Sequence, residues 1–453
     1  MSTSVSPPSS SSSSPPSLPT NGHVLAGPPG GDAATAPAPA SAPASASAPT
    51  PVGRLAAALL ISKTGLAVAV LVPLQLLLTL RLTAILDGRD AATAFGVVTG
   101  VGALVALVLN PILGRVSDRT TIRFGRRRTW ILVGSLSAAS ALAALGLATE
   151  VWQVVVLWSL MLGLITFQSA ATDGLFADQV AAERHGAVSG VAVLPTLLGP
   201  VIGLTLVNAV SAGSAAQWYL IAAVIAVCGL VAVGLTRETT PRTRLARTGL
   251  LASLRTLWVD PRRYPAFGWA WLVRFLNFCA ISTIVYTSVF LTDRFGLDPE
   301  RLSATMLRIS LLSVLMQAVA GLVTGILSDR FRRQKPFIVG SGVLSAIGIM
   351  TVALAPSMTV LYVGIVVQGI GFGAFPAVDF ALCVRVLPNR VDAGKDLGII
   401  GLAGTLPSAL VPLAAAVLLP IGGYDLFYGA MTVVGLLGVL AVSKVPEMGR
   451  EVS

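Results

Sequence analysis

Gly114-Arg115-Val116-Ser117-Asp118-Arg119 runs into a basic stretch from Arg123 to Arg128. In positions 211 residues further on, the chain reads Gly325-Ile326-Leu327-Ser328-Asp329-Arg330, followed by Arg332, Arg333 and Lys335. Each copy occupies a short polar break between two long apolar segments. An aromatic residue and a fresh apolar run follow both, Trp130-Ile131-Leu132 and Phe337-Ile338-Val339. One signal at matching places in two halves marks an internally duplicated chain.

Composition says what kind of chain is duplicated. Hydrophobic residues make up 54% and charged residues only 11%, against about 25% charged in soluble domains. Mean hydropathy is +0.82. The apolar residues form blocks of roughly 18–25, the length with which a helix crosses about 30 Å of hydrocarbon. The fold class is therefore all-α and polytopic. The net charge of +11 does not indicate a nucleic-acid binder, because the bases sit in loops between apolar blocks rather than on one amphipathic face. Cys228, Cys279 and Cys383 are odd in number and lie in apolar segments, and His23 and His185 lie in the tail and a loop, so no disulfide framework or metal site is expected. Nothing pairs a nucleophile with a base or cradles a phosphate, so neither an enzyme nor a cofactor is expected.

Residues 1–52 are almost wholly Ser, Pro, Ala and Gly, too poor in apolar surface to offset the entropy of ordering, and are expected to be a disordered cytoplasmic tail. Twelve spans follow: 57–80, 93–114, 129–148, 152–175, 187–210 and 218–235, then 267–291, 304–327, 336–355, 358–382, 397–420 and 424–443. They group into six-helix bundles at 53–236 and 267–444, joined by the arginine-rich linker 237–266 and followed by a short tail, 445–453. Most of the 31 lysines and arginines fall in loops 2–3, 4–5, 6–7, 8–9 and 10–11, whereas the opposite loops hold Arg81, Arg89, Arg294 and Arg301. The positive-inside rule then places both termini in the cytoplasm, in a protein of the cell membrane.

The aspartates of the duplicated loops carry chemistry that a topology signal does not need. A carboxylate facing arginines or a helix N-terminus makes a contact of about 0.3–2 kcal/mol, favourable in one state and cheap to break in another. The pattern resembles the helix 2–3 and helix 8–9 loop signatures of the major facilitator superfamily, which implies two pseudo-symmetric six-helix bundles about a central path. On that resemblance Gly114, Asp118, Arg119, Arg126, Arg127 and Arg128, with Gly325, Asp329, Arg330 and Arg333, form an inner gate, and the two glycines let helices approach closely. The long form from Asp118 to Arg128 resembles the sucrose–proton and glycoside–pentoside–hexuronide:cation symporter branch. Asp173-Gly-Leu-Phe-Ala-Asp178 through Gly190 and Val386-Leu-Pro388 through Gly398 are similar to the same branch, from which Arg385 departs.

Charges inside spans are costly, about 2.5–3.5 kcal/mol each at a helix centre, so each needs a partner or a wet cavity. Lys63, Asp173, Arg274 and Asp379 are the coupling candidates, although Lys63, Asp173 and Asp379 lie toward span ends, where they serve equally as snorkelling or structural gate charges. Arg308 is a fifth embedded charge. Gln75, Gln168, Asn277, Tyr286, Gln317 and Gln368 are the solute-binding candidates, since amides and hydroxyls both donate and accept; each serves equally well as an interhelical hydrogen-bond partner. Trp269 and Trp271 suit the membrane interface, and Asp178 and Glu183 in loop 4–5 either pair with the arginines of loop 2–3 or stand in a solvated loop. The expected activity is secondary transport of a small polar solute, a sugar or glycoside, coupled to a proton or cation, by a monomer in the lipid bilayer. An efflux antiporter is the alternative, on Gly199-Pro200 and Gly203 in span 5.

Overall fold

The computed structural model describes residues 50–119, 124–179, 194–237, 262–387 and 393–445. Outside the described residues lie the tail 1–49, most of loops 2–3 and 4–5 with Glu183 and His185, the linker 238–261, residues 388–392 with Pro388, and the end 446–453, together with the side chains at 52, 111, 115, 118, 119, 177 and 393–395. The expectations for Asp118 and Arg119 therefore fall outside it as well. All described residues belong to one compact unit, Ser47–Ser453.

Hydrocarbon offers no partner to a backbone amide, so each apolar block must close its own hydrogen bonds, which a helix does. The helices are α1 (Gly53–Ile85), α2 (Gly88–Arg119), α3 (Arg126–Leu145), α4 (Val151–Gln179), α5 (Leu194–Val207) and α6 (Ala215–Leu235) in the first half. In the second half α7 (Pro265–Phe295), α8 (Pro299–Phe331), α9 (Lys335–Ala353) and α10 (Met358–Arg385) follow. The last apolar stretch, Asp396–Lys444, is long enough to cross twice. It breaks at Gly423, whose φ of 66° is open to glycine; α11 covers 393–422 and α12 covers 424–444. The break falls in the gap expected between spans 11 and 12. These twelve helices are the fold class expected from composition, and α5 is the described part of the span expected over 187–210.

Alternating direction brings the starts of α1, α3, α5, α7, α9 and α11 to one face with the basic loops, here called the basic face. The first helix of each half loses regular geometry at matching depth. In α1, Pro73–Leu77 is a π-helical turn; Pro73 lacks an N–H and clashes with the preceding turn, which widens the helix. In α7, Ser282–Tyr286 is a 3₁₀ turn, where Ser282, Thr283 and Thr287 return their hydroxyls to Phe278, Ala280 and Ile284 carbonyls, a habit that bends helices.

The halves meet through α2 on α11 and α5 on α8. A methyl on Gly96 would lie 2.6 Å from the Pro412 carbonyl, and one on Gly100 would lie 2.6 Å from Leu413 Cγ, so α2 seats on α11 through bare backbone. Two hydrogen bonds cross between the halves near the face opposite the basic one: Thr79 with Ser288 at 2.7 Å, and Asn208 Nδ2 to the Ser303 carbonyl at 3.2 Å. Gly114 and Gly325 lie elsewhere. A Cβ at either would meet nothing within 4 Å, because they sit at the basic face, away from this seam.

Candidate functional site: a central cavity

Beneath the seam lies a cavity of ≈ 310 Å³ walled by both halves. Val70 and Leu74 come from α1, Thr99 to Asn110 from α2, Trp158 to Ser169 from α4, Ser282 and Val285 from α7, and Thr405, Ser408 and Pro412 from α11. The irregular turns of α1 and α7 are its roof. Above it an aromatic plug closes the opposite face: Phe95 meets Tyr286 edge-on at 5.3 Å, Tyr286 meets Phe427 at 4.8 Å, and Phe290 meets Tyr424 and Tyr428 at 5.1 and 5.6 Å. The Tyr424 and Tyr428 hydroxyls are buried there without a hydrogen-bond partner.

Among the described residues no charged side chain is part of the wall. Its hydroxyls have mostly engaged their hydrogens with their own helices: Thr99 to Phe95, Thr166 to Gly163, Ser282 to Phe278, Thr405 to Gly401 and Ser408 to Thr405. Each then offers the cavity only oxygen lone pairs. The Trp158 indole N–H is buried without an acceptor and lies against Gly102 of α2.

Between the cavity and the basic face, the four embedded charges form two pairs at equivalent places. Lys63 of α1 bonds Asp173 of α4 at 2.6 Å, and Arg274 of α7 bonds Asp379 of α10. Both pairs join the first and fourth helix of their half. Their surroundings differ. The side chains of Lys63 and Asp173 are 25% and 59% exposed, whereas those of Arg274 and Asp379 are 16% and 0% exposed. Ser169 of the cavity wall reaches Asp173 at 3.5 Å, so the first pair stands at the mouth. The second pair is sealed further by Phe278, whose ring lies 4.9 Å from the Arg274 guanidinium, and by the Cys383 thiol, 3.9 Å from Asp379.

At the basic face, Asp178 of α4 accepts from Arg126 Nη2 at 2.7 Å and Arg127 Nε at 3.0 Å, the pairing expected for it. Gly174 makes room, since any side chain there would collide with the Arg127 guanidinium. Arg128 lies 4.6 Å over the Phe124 ring. The second loop differs: Asp329, Arg330 and Arg333 are exposed, with no ion pair among the described residues. Arg385, the departure from the branch pattern, donates to Gln334 at 3.1 Å.

The six amide and phenol candidates are not in the wall. Gln168 is buried on α1, its amide toward Ser62 at 3.3 Å. Asn277 bonds the Val273 carbonyl and packs beside Gly342 and Gly438. Gln368 backs onto Gly348, Gln317 onto Gly373, and Tyr286 belongs to the plug with its hydroxyl on the Pro412 carbonyl. Gln75 is half-buried in the π-turn of α1. An amide in an apolar span is satisfied by a neighbouring helix as readily as by a solute, and Gln168 does so with Ser62 of α1, although its Oε1 is buried without a partner. Trp271 donates its indole N–H to the Ile399 carbonyl of α11 at 2.9 Å.

Comparison with known proteins agrees with this architecture. An uncharacterised MFS-type transporter of Mycobacterium tuberculosis is 28% identical over 189 residues, 41% of this chain and 31% of that protein. Multidrug resistance protein MdtG of Dickeya zeae is 29% identical over 180 residues, 39% of this chain and 42% of that protein. The lactose permease of Lactobacillus helveticus is 39% identical over 75 residues, 15% of this chain and 12% of that protein. The chain thus spans less than half the length of each of these relatives. The crystal structure of the nucleoside transporter NupG superposes with a TM-score of 0.67 at 13% identity, covering 86% of this chain and 98% of that one. The sequence pattern of the Major Facilitator Superfamily matches residues 64–317 and 301–452, and the chain belongs to that superfamily.

Proposed function

We propose that this transporter moves a small neutral polyhydroxylated solute, a sugar or glycoside, by alternating access coupled to protons or another cation. The observation that carries the reading is the uncharged wall of the central cavity, in which a ring of hydroxyl oxygens is set in a mostly apolar lining, and whose volume sits at the lower end of the roughly 300–1,000 Å³ range of small-molecule sites. Sugar hydroxyls would donate to the lone pairs of Thr99, Thr166, Ser282, Thr405 and Ser408, while Val70, Leu74 and Leu162 would cover the apolar ring face. The basic face is taken as cytoplasmic on the positive-inside rule, which makes this conformation closed outside and open inside, in the cell membrane and as a monomer.

The coupling role falls to Asp173 and Asp379 with their partners Lys63 and Arg274. A carboxylate that trades its arginine for a proton changes the cost of burying the pair, and so links protonation to the state of the cavity. Gly114, Asp118, Arg119, Arg126, Arg127 and Arg128, with Gly325, Asp329, Arg330 and Arg333, are proposed to close the basic face in the other state. The exposure of Asp329 and Arg330 here fits a gate standing open.

A second reading, efflux of lipophilic compounds, draws on the apolar share of the wall and the likeness to MdtG. Proteoliposomes with an internal pH dye separate the two. Entry of protons on adding sugars supports the symporter, and Asp379→Asn should then abolish uphill accumulation while sparing downhill exchange. Proton movement only with lipophilic cations, in the opposite direction, overturns it.

A further inference from the structure

α8 carries a charge that the transport path does not use. Its buried side packs on α10, where Gly373 sits on the Gln317 backbone, and on α5, where Ser303 accepts from Asn208. None of its residues lines the central cavity. The remaining side is a stripe on which Leu311, Leu315 and Leu322 are 50%, 56% and 67% exposed, the face a helix turns to lipid. Arg308 lies on that stripe, exposed, with no ion pair among the described residues. The position 211 residues earlier, in α2, is Val97, also exposed, so the arginine is private to the second half and not part of the duplicated machinery.

Length explains where the arginine stands. With 33 residues, α8 is about 50 Å long against about 30 Å of hydrocarbon, so its ends overshoot. Arg308 comes nine residues after Pro299, about 14 Å along the axis, where a guanidinium can reach up to headgroup depth. Two turns nearer the opposite face, Arg301 shares the stripe at 79% exposure, its charge partly met by Asp298 at 3.3 Å.

We propose that this side of α8 is a binding site for an anionic phospholipid of the leaflet on the opposite face. The lipid phosphate sits between Arg308 and Arg301, and an acyl chain lies along Leu311, Leu315 and Leu322. Charge complementarity selects the occupant: an unpaired arginine above an apolar ladder matches a phosphate above a hydrocarbon chain. Arginine also holds phosphate through paired N–H groups, which a lysine does not.

The full chain purified in detergent and titrated with phosphatidylglycerol or phosphatidylcholine, with bound lipid counted by native mass spectrometry, tests the site. The wild type should hold phosphatidylglycerol at least about tenfold more tightly than phosphatidylcholine, and Arg308→Leu should remove that preference. Arg301→Gln, at the wet end of the stripe, should weaken phosphatidylglycerol by about threefold and keeps the test open if Arg308→Leu does not fold. Equal retention by Arg308→Leu and the wild type overturns the proposal. So does inorganic phosphate raising the unfolding temperature as much as the lipid does, or a dimer that Arg308→Leu dissolves without any change in lipid.

Discussion

Asp173→Asn and Asp379→Asn remove equivalent carboxylates from equivalent pairs, yet they should differ widely in stability. Asp379 is fully buried and Arg274 nearly so, with Nε already lacking a partner. Neutralising Asp379 leaves a buried guanidinium facing an amide, and breaking such a pair costs about 3–5 kcal/mol. Asp173 is 59% exposed and Lys63 can turn to water, so the corresponding loss is about 0.2–1 kcal/mol. The two variants should therefore differ by at least about 2 kcal/mol in reversible unfolding from mixed micelles. The double change Arg274→Met with Asp379→Leu should regain most of the loss, since a packed apolar pair needs no compensation. Equal losses for the two aspartates would refute the reasoning, as would a double variant no more stable than Asp379→Asn.

Three further outcomes follow from close approaches and unpaired groups. Gly174→Ala should displace Arg127 from Asp178 and cost about 1–3 kcal/mol in the same unfolding assay, whereas Gly114→Ala and Gly325→Ala, with open space around them, should stay within about 0.5 kcal/mol of wild type or gain slightly. Gly96→Ala places a methyl 2.6 Å from the Pro412 carbonyl and 2.8 Å from Tyr286 Oη, so α2 cannot seat fully on α11; a cysteine introduced at Thr79 should then be alkylated about tenfold faster, a shift of about 1.4 kcal/mol toward the open opposite face. Tyr428→Phe deletes a buried hydroxyl that has no partner, which should favour the closed plug by about 1 kcal/mol and slow the same alkylation about fivefold.

The twelve crossings were legible because the bilayer leaves a chain little choice. Long apolar blocks must become helices, and the Asp-Arg loops mark the two halves. Burial partners were less legible. Lys63 and Asp173 are 110 positions apart, and Arg274 and Asp379 are 105 apart; each announces itself as a costly charge, but no local pattern names its mate. The offset of 211 between the duplicated loops also separates Lys63 from Arg274, and the two aspartates are 206 apart, so the repeat pairs the pairs even though it does not name the mates. The wall itself was missed for a physical reason. Thr99, Thr166 and Ser408 return their hydrogens to their own helices, so in sequence they look like inert residues, while Gln168 and Asn277 look like binders because an amide cannot hide its polarity. Gly114 and Gly174 show the same limit. Both are small, and only the packed helices reveal that one stands in open space and the other beneath an arginine.

Gly423 joins α11 to α12 with no loop between them. On one side of that single residue α11 rests on α2 of the other half. On the other side Tyr424, Phe427 and Tyr428 enter the plug within two turns. A linkage so short has almost no slack, so a tilt of α11 must be handed directly to α12 as a rotation about one pivot. On the alternating-access cycle proposed above, the pair would work as a crank: rocking of the halves that slides α2 on α11 would draw out the aromatic stopper by the same stroke, without waiting for a loop to rearrange.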